Sequence, residues 1–528
     1  MENVSINKDI LVIGGDVTGA GTAEKIAAAG YNVILAVPGS LDEKSADALY
    51  GVNDKAVTAW EKLSGKAKKN KRVEILSDTR VVRSAGVAGD FTVKLSTAGA
   101  APVTKNVGGI VVATDLAPRA LDDAYGVTLS DKMLSLSQAE AKAAAGELKG
   151  ASVGLMAGFI TPGSPLAMRR IFTLVNKIMD DGGSASVYVN DIKLADTGLD
   201  RIYKEGRDKG AVYFKMRTAP AVNSTTLTFE DPVLNQPVET THDVLVIDEA
   251  LDTNPENVSL AEALGLHITP SGFLQKDNVH RFPVQSNRRG MFVAGGARDI
   301  KNLTDCVTDI DSVVLELNAL FAELPQLPER VAEVNREKCV TCLTCYRCCP
   351  HGAIYWDDKA VISPVACQGC GICASECPND AIQVQTCADD DIMEQIQSGL
   401  QETPAAIVAF CCENSAVEAA AAARQFGLEM PDNLLLISVP CAGKVDLSYV
   451  LNAFVEGAAG VMVVACHNGN CKSEFGSEYA RWRVNEAFRM LEETGVAKER
   501  LAFVTLAANM AADFARAANA MAGQKITA

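Results

Sequence analysis

Two runs of cysteine have the residue types and the spacing to bind metal clusters. Each run follows the pattern C-x2-C-x2-C-x3-C-P, with a proline directly after the fourth cysteine. The runs are Cys339, Cys342, Cys345, Cys349 and Cys367, Cys370, Cys373, Cys377. Three thiolates from one tight loop and a fourth from further away can surround an iron–sulfur cube. The sequence therefore predicts two [4Fe–4S] clusters.

The ligands of the two clusters are expected to be crossed between the runs. In two-cluster ferredoxins the fourth cysteine of each run serves the other cluster. The predicted sets are therefore Cys339, Cys342, Cys345, Cys377 and Cys367, Cys370, Cys373, Cys349. The segments 350–354 and 378–382 repeat at the same offset, which indicates an internal duplication. Zinc sites rarely show this spacing, and Cys348 and Cys387 fall outside the pattern and are predicted not to be ligands.

Composition limits the function classes open to this chain of 528 residues. Its net charge of −17 argues against binding to nucleic acid or to an anionic membrane surface. No apolar run reaches the length of a membrane span, and the first residues lack the pattern of a secretory signal. We therefore expect a cytoplasmic protein without direct membrane insertion. Its 16 cysteines, none of them in the first 305 residues, then indicate metal or redox chemistry rather than disulfides.

The N-terminal region has the pattern of a Rossmann unit. A strand at 9–13 leads into the glycine-rich turn 14–19, an alanine-rich helix to about residue 29 and a second strand at 32–37. Helical patterns separate further strand segments at 109–114, 152–156, 186–189, 243–247 and 291–295. This alternation predicts an α/β fold with parallel sheets.

The dinucleotide fingerprint in this unit is incomplete. Asp16 stands at the second glycine position of G-x-G-x-x-G, where the backbone must approach a pyrophosphate. The second strand ends in Ala36 and Val37 without the acid that binds a ribose. Two interpretations stay open, a Rossmann domain kept as a scaffold and a domain that binds FAD in a modified way.

Residues 1–320 resemble the flavoprotein A-subunit of heterodisulfide reductase and the related subunits of the quinone-interacting membrane-bound oxidoreductase of sulfate reducers. The segments that carry the resemblance are 191–210, 230–235, 271–274 and 290–302. The resemblance implies a two-lobed, thioredoxin-reductase-like flavoprotein fold whose second lobe lies at about 120–235. The residues that it implies for FAD binding are Gly14, Gly15, Gly19, Thr114, Gly295 and Gly296. The family's Ala-Thr-Gly signature is Ala-Thr-Asp here, at 113–115, and this change also works against FAD.

A third group of cysteines follows apolar strands in the C-terminal region. The strands at 405–410, 434–439 and 460–465 each deliver cysteine at the edge where open α/β sheets place their ligands. Cys466 and Cys471 have the C-x4-C spacing of plant-type [2Fe–2S] ferredoxins. The sequence predicts a [2Fe–2S] cluster, with structural zinc or buried thiols as alternatives. Its ligands would be one of Cys411 or Cys412, together with Cys441, Cys466 and Cys471.

This region resembles the delta subunit of the methyl-viologen-reducing hydrogenase. The segments that carry the resemblance are 410–415, 440–446, 453–460 and 465–471. The arrangement of all three modules in one chain resembles that of the B-subunit of the quinone-interacting complex. The expected domains are 1–330 for the flavoprotein-type region, 331–388 for a two-cluster ferredoxin module of α+β type and 402–528 for an α/β iron–sulfur domain. The acidic segment 384–402 is predicted to be a linker.

These patterns favour an electron-transfer subunit over an enzyme that turns over its own substrate. We expect electrons to pass between the C-terminal cluster, the two [4Fe–4S] clusters and a flavin or partner subunit. The expected partners are other redox subunits, among them a flavoprotein paralogue and a membrane quinone-reactive subunit that could hold the protein at the membrane periphery. The alternatives are a self-sufficient FAD-dependent NAD(P)H oxidoreductase and a flavin-free docking scaffold with an electron conduit.

Overall fold

A five-stranded parallel sheet forms the first lobe in the computed structural model, which describes residues 6–41, 54–231, 236–274, 278–326, 331–467 and 469–523. The strand order is Met291–Val293, Gly109–Val112, Ile10–Ile13, Val33–Ala36, Val73–Leu76. All four residues of the central strand Ile10–Ile13 are buried, as expected for an apolar strand covered on both faces. The helices of this lobe are Val17–Ala28, Asp54–Lys69, Glu256–Leu264 and Leu303–Glu323, and an antiparallel sheet adds Thr79–Val87, Asp90–Thr97 and Val103–Val107.

The second lobe has its own five-stranded parallel sheet. Its order is Val212–Lys215, Ser184–Val189, Ser152–Ala157, Val244–Ile247, Met133–Ser135. Its helices are Asp122–Tyr125, Leu136–Ala144, Pro165–Asp180 and Leu199–Asp208, and an antiparallel sheet adds Ala221–Asn223, Thr226–Asp231 and Gln236–Thr241. The antiparallel strands Leu116–Ala120 and Glu249–Thr253 lead into and out of this lobe. The lobe therefore extends beyond residue 235, the end that the resemblance predicts, because the strand Val244–Ile247 pairs within its sheet.

The ferredoxin module contains two short antiparallel strand pairs and two short helices. The strands are Ala332–Val334 with Ile382–Val384 and Ile354–Asp357 with Lys359–Ile362. The helices are Thr344–Cys348 and Ile372–Ser375, each starting within one cysteine run. The equivalent placement of these helices agrees with the duplication seen in the sequence.

The C-terminal domain is a four-stranded parallel sheet in the order Leu434–Val439, Ile407–Cys412, Gly460–Cys466, Leu501–Leu506. Its helices are Ala416–Gln425, Leu447–Val455, Gly476–Glu493 and Ala511–Ala522. Short 3₁₀ turns occur at Gly295–Ala297, Leu324–Gln326, Ala442–Lys444 and Lys498–Arg500. The predicted fold class is therefore confirmed for all three parts of the chain.

The acidic segment 384–402 is not a linker. It contains the helix Asp389–Glu402, whose buried residues Ile392, Ile396 and Leu400 recur every four positions. Three aspartates in its first turn stabilise the helix dipole. Because this helix packs into one apolar core shared by the ferredoxin module and the C-terminal domain, these two parts form a single packed body. None of the helices in the described ranges combines the length and apolar character needed to cross a bilayer.

Candidate metal centres

Three cysteines of the first run and the last cysteine of the second run share one small cavity. The cysteines that line it are Cys339, Cys342, Cys345 and Cys377. The rest of the lining is mainly apolar and includes Val334, Leu343 and Ile382. We call these four cysteines the outer cysteine set, because Cys342 is exposed to solvent.

The remaining four cysteines of the runs line a second cavity. They are Cys349, Cys367, Cys370 and Cys373. We call them the inner cysteine set, because Cys370 and Cys373 are buried and the C-terminal domain covers this side. Both cavities thus bring together the crossed groups of cysteines that the spacing predicts.

The loops around the two cavities have the same unusual backbone. Thr341 and Leu343 have φ angles of 56° and 60°, and the equivalent Gly369 and Gly371 have 65° and 77°. A side chain in this left-handed region costs about 1–2 kcal/mol, and such strain concentrates at functional sites. The first run therefore carries a cost that glycine removes in the second, which indicates that the loop shape itself is required.

Backbone N–H groups point at cysteine sulfur in both repeats. Ala353 donates to Cys349 Sγ at 3.4 Å, and Ala381 donates to Cys377 Sγ at 3.3 Å. Hydrogen bonds of this kind stabilise negative charge on sulfur and raise the potential of an iron–sulfur cluster. The donor set therefore suits thiolate ligands of a cluster.

Two cysteines near these cavities line neither of them. Burial raises the pKa of Cys348 to about 12, and its thiol donates to the carbonyl of Cys345 at 3.4 Å. Burial also raises the pKa of Cys387 to about 11. Cys348 and Cys387 lie outside the two sets, and that they are not ligands stays a prediction.

The C-terminal domain brings four further cysteines into mutual contact, Cys412, Cys441, Cys466 and Cys471. The Sγ atoms of Cys412 and Cys466 lie 3.5 Å apart. Hydrogen bonds from the thiols of Cys441 and Cys466 hold the pKa of Cys412 and of Cys471 far below the usual range. We call these four residues the C-terminal cysteine set. Cys411 faces the other side of its strand, where burial raises its pKa to about 12.

Among the described residues, no group of three or more His, Cys, Asp or Glu side chains is arranged to hold a single metal ion. The outer and inner sets instead surround small cavities. A cavity lined by four sulfur atoms has the donor type that a cluster with its own inorganic core requires.

The C-terminal set packs directly against the inner set. Ser473 hydrogen-bonds to Cys370 of the inner set, two residues after Cys471 in the chain. A Cβ atom on Gly443 would lie 2.6 Å from Ile372 Cγ1, and one on Gly476 would lie 2.3 Å from Cys441 Sγ. These close approaches leave room only for glycine and bring the two groups of cysteines to one seam.

A segment of the first lobe covers the loop that carries Cys471. Asn278 Nδ2 donates to the Cys471 carbonyl at 2.8 Å, and the N–H of Val279 donates to Asn470 Oδ1 at 3.1 Å. Arg281 forms an ion pair with Glu474, and both side chains are at least nine-tenths buried. We call the segment Asn278–Arg281 the clamp, because it fixes this loop from outside the C-terminal domain.

The glycine-rich turn of the first lobe is satisfied by the chain's own carboxylates. Asp16 is 2% exposed, and its Oδ1 accepts the N–H of Gly19 at 2.8 Å. Asp309 Oδ2 accepts the N–H of Gly295 at 2.9 Å. Backbone donors at such positions bind the phosphates of a dinucleotide, so both carboxylates stand where a phosphate oxygen would accept.

The other residues expected to bind FAD also serve packing within the protein. A Cβ atom on Gly14 would lie 1.9 Å from the Ala113 carbonyl, one on Gly15 2.5 Å from Val37 Cγ1 and one on Gly296 2.8 Å from the Leu116 nitrogen. Thr114 is buried, and its hydroxyl donates to Asn257 Oδ1 at 2.7 Å.

A buried tryptophan lies at the same turn. Trp60 Nε1 donates to the Gly15 carbonyl at 3.1 Å, and the ring packs with Val17, Leu116 and Leu166. Two carboxylates and an aromatic ring thus occupy this edge, and Arg298 and Lys301 pair with Asp309 at 3.2 Å and 3.6 Å. The carboxylate of Asp16 therefore works against a pyrophosphate at this turn.

Several residues at these sites carried no signal in the sequence. Ser473 and the clamp lie far along the chain from the groups they contact, Asp309 lies 14 residues from Gly295, and their residue types are common. Only Asp16 could be singled out, because it stands in a position normally filled by glycine.

Comparison with known proteins finds similar proteins for different parts of the chain. The family profile of the methyl-viologen-reducing hydrogenase delta subunit matches residues 407–526, and that of the 4Fe-4S binding domain matches residues 360–383. The vhu iron-sulfur D-subunit of the F420-non-reducing hydrogenase of Methanocaldococcus jannaschii is 36% identical over 115 residues, which are 22% of this chain and 86% of that protein.

The A-subunit of the ferredoxin:CoB-CoM heterodisulfide reductase of Methanosarcina acetivorans is 26% identical over 285 residues, or 52% of this chain. That of Methanosarcina mazei is 24% identical over 329 residues, or 61% of this chain. The chain spans 34% and 41% of the length of these two relatives. Among solved structures, thioredoxin reductase of T. acidophilum is 13% identical, with a TM-score of 0.43 over 59% of this chain and 98% of that one.

The relative at 36% identity matches the part of the chain that carries the C-terminal cysteine set. The relatives among the heterodisulfide reductase A-subunits extend over more than half of the chain. Through its C-terminal domain the chain belongs to the family of methyl-viologen-reducing hydrogenase delta subunits, fused in one polypeptide to a 4Fe-4S domain and a region like the heterodisulfide reductase A-subunit.

Proposed function

We propose that this protein is the iron–sulfur electron-transfer subunit of a heterodisulfide reductase-like or quinone-interacting oxidoreductase complex. The observation that carries the proposal is the placement of three cysteine sets in one packed body, in which Ser473, two residues after Cys471, hydrogen-bonds to Cys370 of the inner set. Iron–sulfur clusters exchange one electron at a time. A row of such centres is suited to conduct electrons between partner subunits.

The cysteine sets are the proposed ligands. The outer and inner sets would each hold a [4Fe–4S] cluster. The C-terminal set would hold a [2Fe–2S] cluster, with Cys412 rather than Cys411 as its first ligand, because only Cys412 contacts Cys441 and Cys466. The surrounding apolar residues exclude water from the inner and C-terminal sets. Less solvent then has to reorganise when a cluster there gains or loses an electron.

The outer set is the proposed point of exchange with a partner subunit. Cys342 is exposed, and the exposed side chains of Val340, Tyr346, Tyr355 and Trp356 lie on the same module. Exposed apolar side chains in a group favour contact with another protein. The partners would be redox subunits of the same complex, including a flavoprotein paralogue and a quinone-reactive membrane subunit, with the chain itself on the cytoplasmic side.

The flavoprotein-type region acts as a scaffold in this proposal. Asp16, Asp309 and Trp60 satisfy the turn that would otherwise bind a dinucleotide. The clamp, which belongs to this region, instead supports the loop of Cys471. A flavin would then be supplied by a partner rather than by this chain.

Cofactor analysis of protein purified without oxygen tests the proposal. We expect about ten iron atoms per chain, from two [4Fe–4S] clusters and one [2Fe–2S] cluster, together with matching sulfide and less than stoichiometric flavin. About eight iron atoms with one zinc would remove the C-terminal cluster. A full equivalent of FAD released by acid would favour the alternative, a self-sufficient flavoenzyme that oxidises a nicotinamide.

Two neighbouring cysteines provide a matched control for the C-terminal assignment. Cys412→Ser should lose about two iron atoms per chain and the [2Fe–2S] signal in electron paramagnetic resonance (EPR) spectra. Cys411→Ser should keep both, since this thiol faces the opposite side of the strand. Equal loss in both variants would contradict the assignment.

A further inference from the structure

A guanidinium group of the first lobe lies against the loop that closes over the inner cysteine set. Arg288 donates to the carbonyls of Leu264 at 2.7 Å and Gly86 at 3.0 Å. A Cβ atom on Gly352 would lie 2.9 Å from Arg288 Nε, so the guanidinium touches the backbone of this loop. The next residue, Ala353, donates its N–H to Cys349 Sγ.

Adjacent Asn287 holds the same loop. Its Nδ2 donates to the Pro350 carbonyl at 3.0 Å, and its own carbonyl lies 3.3 Å from His351 Nδ1. The loop from Cys349 to Ala353 is thus fixed by two consecutive residues of another domain. The position of the guanidinium relative to Cys349 is therefore set by the fold rather than by a flexible side chain.

The charge of Arg288 has no carboxylate partner among the described residues. The hydrogen bonds of its guanidinium go to backbone carbonyls, and none of the ion pairs between described residues includes it. Burial lowers the pKa of Arg288, while negative charge on Cys349 raises it. A partly buried cation without an anion is costly, so a negative charge at the inner set would stabilise it.

The second repeat lacks this feature. Ala381 donates to Cys377 Sγ just as Ala353 donates to Cys349, but the residue before it is Asp380, exposed and with φ 47°. The cations near the outer set, Arg347 and Lys359, bond the carbonyls of Cys342 and Cys339. Arg347 is exposed and Lys359 is partly exposed, so solvent and salt screen their charge.

We infer that Arg288 is a positioning residue that raises the reduction potential of the cluster held by the inner set and leaves that of the outer set almost unchanged. The inference rests on the proposed function, because it requires both [4Fe–4S] clusters. Reduction adds one electron to the cluster and breaks no bond. A fixed cation at the loop stabilises the additional negative charge of the reduced state.

Redox titration of the full chain, followed by EPR, tests the inference. R288Q should lower one of the two [4Fe–4S] midpoint potentials so that the ratio of reduced to oxidised cluster falls at least tenfold at a given ambient potential, a shift of about 59 mV. R288K keeps the charge and should restore most of the shift. K359Q, at the outer set, is the matched control, and it should leave unchanged the midpoint potential that R288Q lowers.

A second variant tests the same physical cause without altering Arg288. D380N removes the exposed charge at the equivalent loop position of the other repeat and should leave the other [4Fe–4S] potential almost unchanged, because solvent and salt screen this charge. Unchanged potentials in R288Q with full iron content would overturn the inference, as would equal shifts of both clusters. If R288Q loses iron, a tenfold or larger response of the reduced-to-oxidised ratio in D380N would overturn it instead, because a screened charge would then act as strongly as the fixed one.

Failure of the proposed function would look different. Wild-type protein without two [4Fe–4S] signals, or with zinc in place of iron, would refute the proposed function before any variant is compared. Two normal clusters that do not respond to the charge at residue 288 would refute only the inference about Arg288.

Discussion

The two halves of the ferredoxin module share their cysteine spacing but differ in what surrounds them. The half with helix Thr344–Cys348 carries exposed Cys342 and the exposed rings of Tyr346 and Trp356. The half with helix Ile372–Ser375 is buried against the C-terminal domain, where Gly371 contacts Lys444. One half of the duplicated module therefore packs against the C-terminal domain, and the other half is exposed to solvent. Four predictions test this comparison, from the largest expected effect to the smallest.

The largest effect should come from the cysteines that cross between the halves. Cys377→Ser and Cys339→Ser should each remove the same [4Fe–4S] cluster, with a loss of about four iron atoms per chain and identical remaining EPR signals. The reason is that both side chains line the outer cavity although they belong to different runs. If Cys377→Ser instead matched Cys370→Ser in its spectrum, the crossed arrangement would be wrong.

The next effect concerns the glycine at the covered half. Gly371→Ala should lower the free energy of unfolding by about 2–4 kcal/mol, from left-handed strain of about 1–2 kcal/mol and overpacking against Lys444. The new Cβ would lie 2.6 Å from Lys444 Cδ. Gly427→Ala is the control, because Gly427 also has a positive φ but open space around it. Thermal unfolding followed by circular dichroism should show a smaller loss in the control.

A moderate effect is expected at the seam between the inner and C-terminal sets. Ser473→Ala removes a hydrogen bond to Cys370, worth about 1 kcal/mol. If that bond acts mainly in the reduced state, one [4Fe–4S] potential should fall by about 40 mV. Ser438→Ala, at an exposed serine of the same domain, is the control for EPR-monitored titration. A shift of both [4Fe–4S] potentials by the same amount would show that the seam is not specific to the inner set.

The smallest effect is expected at the exposed half. Trp356→Ser should change the free energy of unfolding by less than about 1.5 kcal/mol, since the ring is half-exposed and its described ring partner is Tyr346. Iron content should stay complete in an assay with colorimetric chelators. A loss of iron would show that this side chain protects the outer set and that the outer half is not a free surface.

The features that could be predicted from the sequence are those encoded locally. The cysteine spacing places three ligands in one tight loop, and the buried parallel strands are continuous apolar runs. The choice between Cys411 and Cys412 depends on which face of the strand turns toward Cys441. Strand periodicity separates the two residues but does not say which face is which.

Other features depend on contacts between distant parts of the chain. The acidic composition of residues 384–402 predicts a linker, whereas Ile392, Ile396 and Leu400 in the helix Asp389–Glu402 have the four-residue spacing of a packed helix face. Asp309 reaches Gly295, and Arg288 reaches the loop of Cys349, only through the tertiary fold. Their residue types are ordinary, so no local pattern distinguishes them from surface charges.

The clamp has a consequence for biosynthesis. Asn278–Arg281 leaves the ribosome nearly two hundred residues before the loop 470–474 that it holds. Because N-terminal domains generally fold first during synthesis, the clamp can be in place when the C-terminal cysteines emerge. The N-terminal region would then act as an intramolecular chaperone for the last metal centre, and a C-terminal domain expressed alone would have to mature without it.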